Sequence, residues 1–95
     1  RMGAESGGLM SFPTPGWTLT VDLAAGDAGL PKLVRDLDEL VLAAGGRHYL
    51  AKDSHATPEV IRAGYPRLAE WKAIRSQFDP DGVWSSDQAR RLDLL

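Results

Sequence analysis

The feature that most restricts the fold of this chain is an amphipathic stretch closed by two glycines. Leu30, Leu33, Val34, Leu37, Leu40, Val41 and Ala44 recur with helical spacing and make one apolar stripe. Lys32, Arg35, Asp36 and Glu39 fall on the wet side. Pro31 is tolerated in a first turn, and Asp27 or Gly29 stands near the cap. Gly45-Gly46 supplies the stop, because glycine takes the left-handed C-terminal position without a Cβ penalty. The spacing therefore predicts a helix over residues 30–44 that must bury one face against something else.

What flanks this helix suggests the partner. Trp17, Leu19, Val21 and Leu23 alternate with Thr18, Thr20 and Asp22, the pattern of a half-buried β-strand. Thr18 and Thr20 read either as a solvated sheet face or as the polar wall of a pocket. On the other side, Arg47 to Leu50 reads as a second extended segment. Strand, helix and strand in this order predict an α+β chain, half of an α/β sandwich, with short helices after it. Residues 1–16 hold Gly3, Gly7, Gly8, Gly16, Pro13 and Pro15 and read as a loop anchored by Leu9, Met10 and Phe12. The start at Arg1 with Met2 second suggests a fragment, a processed product or a cut boundary.

Beyond the extended segment, Ala51 to Ala56 reads as a loop. Thr57-Pro58-Glu59 combines an N-cap, a first-turn proline and an acid near the positive helix end. That helix is expected to stop near Gly64, and Tyr65-Pro66 breaks the chain. A helix from Arg67 to Phe78 is expected to bury Leu68, Trp71, Ile74 and Phe78. Asp79-Pro80-Asp81-Gly82 is a turn by composition. Val83 and Trp84 are expected to return to the core, and Ser86 to cap a last short helix.

Composition narrows the function classes. With 95 residues the chain can form one small domain, and a net charge of -2 gives no pull toward nucleic acid or an anionic membrane. The absence of cysteine excludes a disulfide framework, a zinc–thiolate site and a cysteine nucleophile. No apolar run is long enough to span a membrane, which leaves cytoplasmic or cell-envelope-associated placement open. His48 and His55 lack metal-ligand spacing and receive no role; Ser54 beside His55 is too local for a dyad. No phosphate-binding glycine loop or nucleophile elbow occurs. The acidic pairs Asp36/Asp38 and Asp79/Asp81 read as an exposed helix face and a turn.

Lys52 has a different setting. It follows the second extended segment, between Ala51 and Asp53, with Tyr49 three residues before it. Regular alternation would put Tyr49 and Ala51 on one side and Leu50 and Lys52 on the other; a bulge near Ala51 would bring Tyr49 and Lys52 together. A fixed cation suits the stabilisation of a developing anion. A reduced flavin is one such anion, gathering charge at N1 and the C2 carbonyl while the protein supplies position and field.

A set of residues in order carries a family likeness: Ser11-Phe12-Pro13, Gly16-Trp17, Val21-Asp22, Gly45-Gly46-Arg47, Tyr49, Ala51-Lys52-Asp53-Ser54, Tyr65-Pro66, Trp71, Asp79-Pro80, Val83, Ser86-Asp87 and Ala89-Arg90-Arg91-Leu92. Together they resemble the C-terminal end of the decaprenylphosphoryl-β-D-ribose oxidases, FAD-dependent enzymes of the vanillyl-alcohol-oxidase type related to the aldonolactone oxidases. The resemblance implies that residues 1–46 end a substrate-binding domain and that residues 47–95 return to the FAD-binding domain. It implies that Tyr49, Ala51 and Lys52 contact FAD, that Lys52 is catalytic and reaches the substrate hydroxyl, and that Thr20 lines the substrate pocket, where strand alternation sets Thr18 beside it. Thr20 stands where the mycobacterial enzyme has a cysteine, which bears on the choice of sugar. The glycine-rich loops that hold the FAD diphosphate have no counterpart in this sequence.

Two functions follow as expectations. One is the C-terminal part of an FAD-linked oxidase acting on a carbinol of a sugar or polyprenyl-phospho-sugar, inactive in isolation. Its partners would be the rest of its own chain, with self-association of the isolated piece. The other is a free-standing α/β interaction or ligand-binding module without catalysis.

Overall fold

The helix before Gly45-Gly46 ends in a Schellman motif. In the computed structural model, which describes residues 1–95, α1 spans Leu30–Ala43 with Ala44 as its C-cap. The Gly45 N–H donates to Leu42 O at 2.9 Å and the Gly46 N–H to Val41 O at 2.8 Å. Gly45 holds a φ of 71°, the left-handed conformation that this motif requires. At the other end, the Asp27 side chain accepts the Gly29 N–H at 2.6 Å and its carbonyl accepts the Leu30 N–H at 3.1 Å, so the chain turns into the helix.

A 3-10 turn, Leu50–Lys52, and three more helices follow: α2 Pro58–Gly64, α3 Leu68–Phe78 and α4 Asp87–Arg91. The Thr57 hydroxyl caps α2 by accepting the Val60 N–H, and the Ser86 hydroxyl caps α4 by accepting the Ala89 N–H. The Asp79 carboxylate organises the turn after α3. It accepts the Val83 N–H at 2.8 Å and the Trp84 N–H at 3.0 Å and pairs with Arg75 at 2.8 Å. Asp79 is buried, and these three donors offset the cost of desolvating its charge.

No β-strand forms over Trp17–Leu23 or Arg47–Leu50, contrary to the strand–helix–strand expectation. The one β pairing is an isolated antiparallel bridge between Met2 and Gly16. The reason is non-local. A strand exists only through a partner backbone, and nothing in this chain is placed to pair with residues 17–23. Trp17 and Leu19 are consequently 82% and 84% exposed, and Val21 and Leu23 are also uncovered.

The core is small. Ala56, Ile61, Tyr65, Leu68, Leu92 and Leu94 form it, with Met10, Leu50, Trp71 and Ala89 against its edge. Full burial of Ile61 and Leu92 contributes about 1.5–3 kcal/mol each. Asp93 takes a left-handed φ of 51°, so the chain reverses after α4 and Leu94 re-enters the core. Only 11 of 95 residues are buried, and the radius of gyration is 14.6 Å, against about 12.4 Å for a compact domain of this length. The molecule is a slab of 41 × 31 × 18 Å with apolar surface left on its faces. Ile74, Phe78, Val83 and Trp84 were expected inside and lie exposed, because no element crosses the far end of α3 to cover them.

The face of α1 that meets the body is rotated from its apolar stripe. Leu30 and Asp38 are buried, Val34 and Leu42 half-buried, while Leu33 and Leu40 remain open. These first four residues form one i, i+4 row, and it is this row that turns inward. Asp38 therefore belongs to the interior, which corrects its assignment to the exposed face. No helix is long and apolar enough to cross a membrane.

Tyr65 joins the layers. Its ring is buried in the core and its hydroxyl donates to the His48 carbonyl, while Arg47 lies over the ring at 5.4 Å. Burial pushes its phenol above the ordinary 10.0, so it remains a neutral donor in the physiological range. The Arg47 Nη1 also donates to Ser11 O at 2.8 Å and to Glu5 at 3.1 Å, fastening the N-terminal loop across the 46/47 junction. Gly64 permits the close crossing of α2: a Cβ there would stand 3.0 Å from the Arg47 Cβ. Tyr65→Phe keeps the ring and removes the donor, and is expected to cost about 1–3 kcal/mol in chemical denaturation.

Candidate functional site

Lys52 is held by a turn rather than by a strand. Tyr49 enters it in an extended conformation, φ -80° and ψ 116°, and its carbonyl accepts the Lys52 N–H at 2.9 Å. Tyr49 and Lys52 are thus the two ends of the hydrogen bond that closes this turn, three residues apart. Ala51 between them is exposed and small. The Phe12 ring packs on Tyr49 with centroids 4.9 Å apart and planes tilted by 41°, leaving Tyr49 52% exposed.

The turn is braced from both sides. Downstream, α4 presents Gln88 and Arg91, three residues apart and on one face. The Gln88 amide donates to Leu50 O at 2.6 Å and to the Asp53 carboxylate at 3.0 Å. Arg91 pairs with Asp53 and donates to Ala56 O at 3.1 Å. The Gln88 amide holds the Asp53 carboxyl below the ordinary aspartate range, and the Arg91 charge acts in the same direction against partial desolvation. Upstream, the His48 Nε2–H donates to the Asp38 carboxylate at 2.6 Å, and the His48 carbonyl receives the Tyr65 hydroxyl.

These ties decide the electrostatics of Lys52. Asp53, the nearest acid in sequence, is engaged by Gln88 and Arg91. The Lys52 side chain is exposed and enters no ion pair. The Lys52 ammonium is therefore unpaired and open to solvent, on a turn whose backbone is held by its neighbours. The cavity of about 160 Å³ beside Arg62, Tyr65, Leu68 and Lys72 and that of about 280 Å³ beside Leu23, Leu30 and Leu33 do not include Tyr49 or Lys52. No cluster of His, Asp and Glu could hold a metal ion.

Tyr49, Ala51 and Lys52 are brought together on the turn; Thr18 and Thr20 are not joined to it. Both threonines are exposed on the irregular segment before α1, and no hydrogen bond links them to Tyr49 or Lys52. Sequence reasoning missed Asp38, His48, Gln88 and Arg91 as supports. One signal was available for Asp38, an acid in the otherwise apolar row Leu30, Val34, Leu42. For Gln88 and Arg91 only their shared face on a capped helix hinted at a common target.

Residues 24–92, well over half of the chain, match the sequence profile described as D-arabinono-1,4-lactone oxidase. The chain belongs to this family of oxidases. Among its relatives, decaprenylphosphoryl-β-D-ribose oxidase of Mycolicibacterium smegmatis is 55% identical over 86 residues, which are 90% of this chain and 18% of that protein. Alditol oxidase of a Streptomyces species is 35% identical over 66 residues, 70% of this chain and 16% of the enzyme. L-gulono-1,4-lactone dehydrogenase of Mycobacterium tuberculosis is 31% identical over 58 residues, 61% of this chain and 14% of the enzyme. The chain thus spans less than a fifth of the length of each of these three.

The lowered Asp53 carboxyl has a pH consequence. Its stabilising effect is fully present above the ordinary aspartate value of 3.8 and is lost as pH falls through the lower folded-state value. Acidification below 3.8 is expected to release residues 50–56 from α4, read as loss of amide signals from that segment in NMR spectra. Asp53→Asn should remove this transition.

Proposed function

We propose that this chain is the C-terminal part of an FAD-dependent oxidoreductase that oxidises a carbinol of a sugar or sugar-lipid. The family match together with the free ammonium of Lys52 on its braced turn carries this reading. The relatives' names point to sugar-like substrates: a decaprenylphosphoryl ribose, a lactone and an alditol. Bound flavin supplies the hydride acceptor. The contribution of this chain is position and charge. Lys52 stabilises negative charge on the flavin edge or on the substrate oxygen, and Tyr49 and Ala51 line the cofactor face.

In the whole protein, residues 1–46 complete a substrate-binding domain and residues 47–95 return to the FAD-binding domain. Trp17–Leu23 becomes a strand once a neighbouring backbone is supplied, giving the α+β arrangement. Its alternation supports this, since pairing there would cover Trp17, Leu19, Val21 and Leu23 and present Thr18 and Thr20 on the opposite face. Thr18 and Thr20 then form part of the substrate wall, with Lys52 reaching the same substrate.

In the full-length protein, Lys52→Ala is expected to slow flavin reduction about 10²–10³-fold, the cost of removing one preorganised electrostatic donor, with the melting temperature nearly unchanged. Near-normal reduction in stopped flow would overturn the role. The isolated 95 residues are expected to bind FAD weakly or not at all and to self-associate through the uncovered apolar faces. Sedimentation velocity should show association that grows with concentration.

A further inference from the structure

The Asp38–His48 pair has no place in the reading above, yet it stands directly before the turn. Asp38 is 6% exposed and lies in the α1 row that faces the body. A buried carboxylate is costly without a partner, and a leucine in its place would extend the apolar row. Its retained partner is His48, whose ring donates to it at 2.6 Å. His48 precedes Tyr49, and its carbonyl is at the same time held by Tyr65. The segment from Arg47 to Asp53 has little regular structure of its own beyond the one turn bond from Lys52 to Tyr49. Side-chain ties must therefore fix its register. Gln88 holds it at Leu50 and Asp53; His48 holds it on the other side of Tyr49. With both sides fixed, the segment cannot slide by one residue, a slip that would present Leu50 and Asp53 where Tyr49 and Lys52 now stand.

We propose that Asp38 and His48 are positioning residues that set the register of Tyr49 and Lys52 from helix α1. The pair ties the helix that follows Thr18 and Thr20 to the turn that carries Lys52. The functional meaning of that tie rests on the flavin reading above, whereas the register itself is a property of this chain.

The test uses the full-length protein and hydrogen exchange over residues 47–53, with the amides of Ile61 and Tyr65 as internal references. His48→Leu, which keeps bulk and removes the donor, is expected to accelerate exchange at the Lys52 amide about tenfold while the reference amides hold. Asp38→Asn should act in the same direction with a smaller effect, and His48→Gln, which can still donate to Asp38, should restore protection. Unchanged exchange at Lys52 in both His48→Leu and Asp38→Asn overturns the proposal. So does equal acceleration at Ile61 and Tyr65, which marks a general loss of stability. A second readout is the visible absorption band of bound flavin, expected to shift in the same direction in His48→Leu and in Lys52→Ala. A protein that binds no flavin but shows the exchange pattern would refute the functional reading and leave the positioning role standing.

Discussion

One crossing governs this molecule: the ring of Tyr65 under the backbone of residues 47–48. The ring belongs to the core with Ile61, Leu68 and Leu92. Its hydroxyl belongs to the strap, through the His48 carbonyl. Arg47 closes over the ring and reaches the N-terminal loop at Ser11 and Glu5. Tyr65 and Arg47 together thus connect the core, the segment that carries Lys52 and the loop that carries Phe12. Gly64 eases it, since a Cβ on the helix that delivers Tyr65 would stand 3.0 Å from the Arg47 Cβ and force a small shift there. Because the phenol is hydrogen-bonded and desolvated together, its contribution is the loss avoided by pairing more than any gain over water.

The elements legible in the sequence are those fixed by their own neighbours. Thr57-Pro58, Ser86 and Gly45-Gly46 act within one turn of the backbone they cap, and the starts of α2 and α4 and the end of α1 follow from them. Residues 17–23 were not legible in this sense. Their alternation describes a face, and the face acquires meaning only beside a second backbone, which lies outside local pattern. The same limit applies to Phe78, Val83 and Trp84, whose hydrophobicity says that they prefer cover without saying where it comes from. Asp38 shows the opposite case. Counting apolar residues gave a stripe that includes Leu33 and Leu40, whereas the helix turns its Leu30–Asp38 row inward, where Asp38 meets His48.

At the candidate site, the residue type was readable and its support was not. Tyr49 and Lys52 stood out by spacing and by family likeness. What brings them together is a 3-10 turn in place of the bulge imagined near Ala51. Its stability comes from Gln88 and Arg91, thirty-five and more residues away, and no spacing rule connects such positions. The thin core and open apolar faces fit a chain that spans only part of its relatives' length. The buried cluster draws on α2, α3 and the end of the chain after α4, with Leu50 of the turn packed against it.

The way Lys52 is held separates two demands that often conflict. Every bond that shapes its turn is made by main chain or by a neighbour: the Tyr49 carbonyl, Leu50 O, Asp53, His48. The Lys52 side chain itself carries none of the architecture. Position 52 is therefore a socket whose functional group can be exchanged at little cost to folding. A substitution there reads out the chemistry of the side chain alone, because the scaffold beneath does not lean on it.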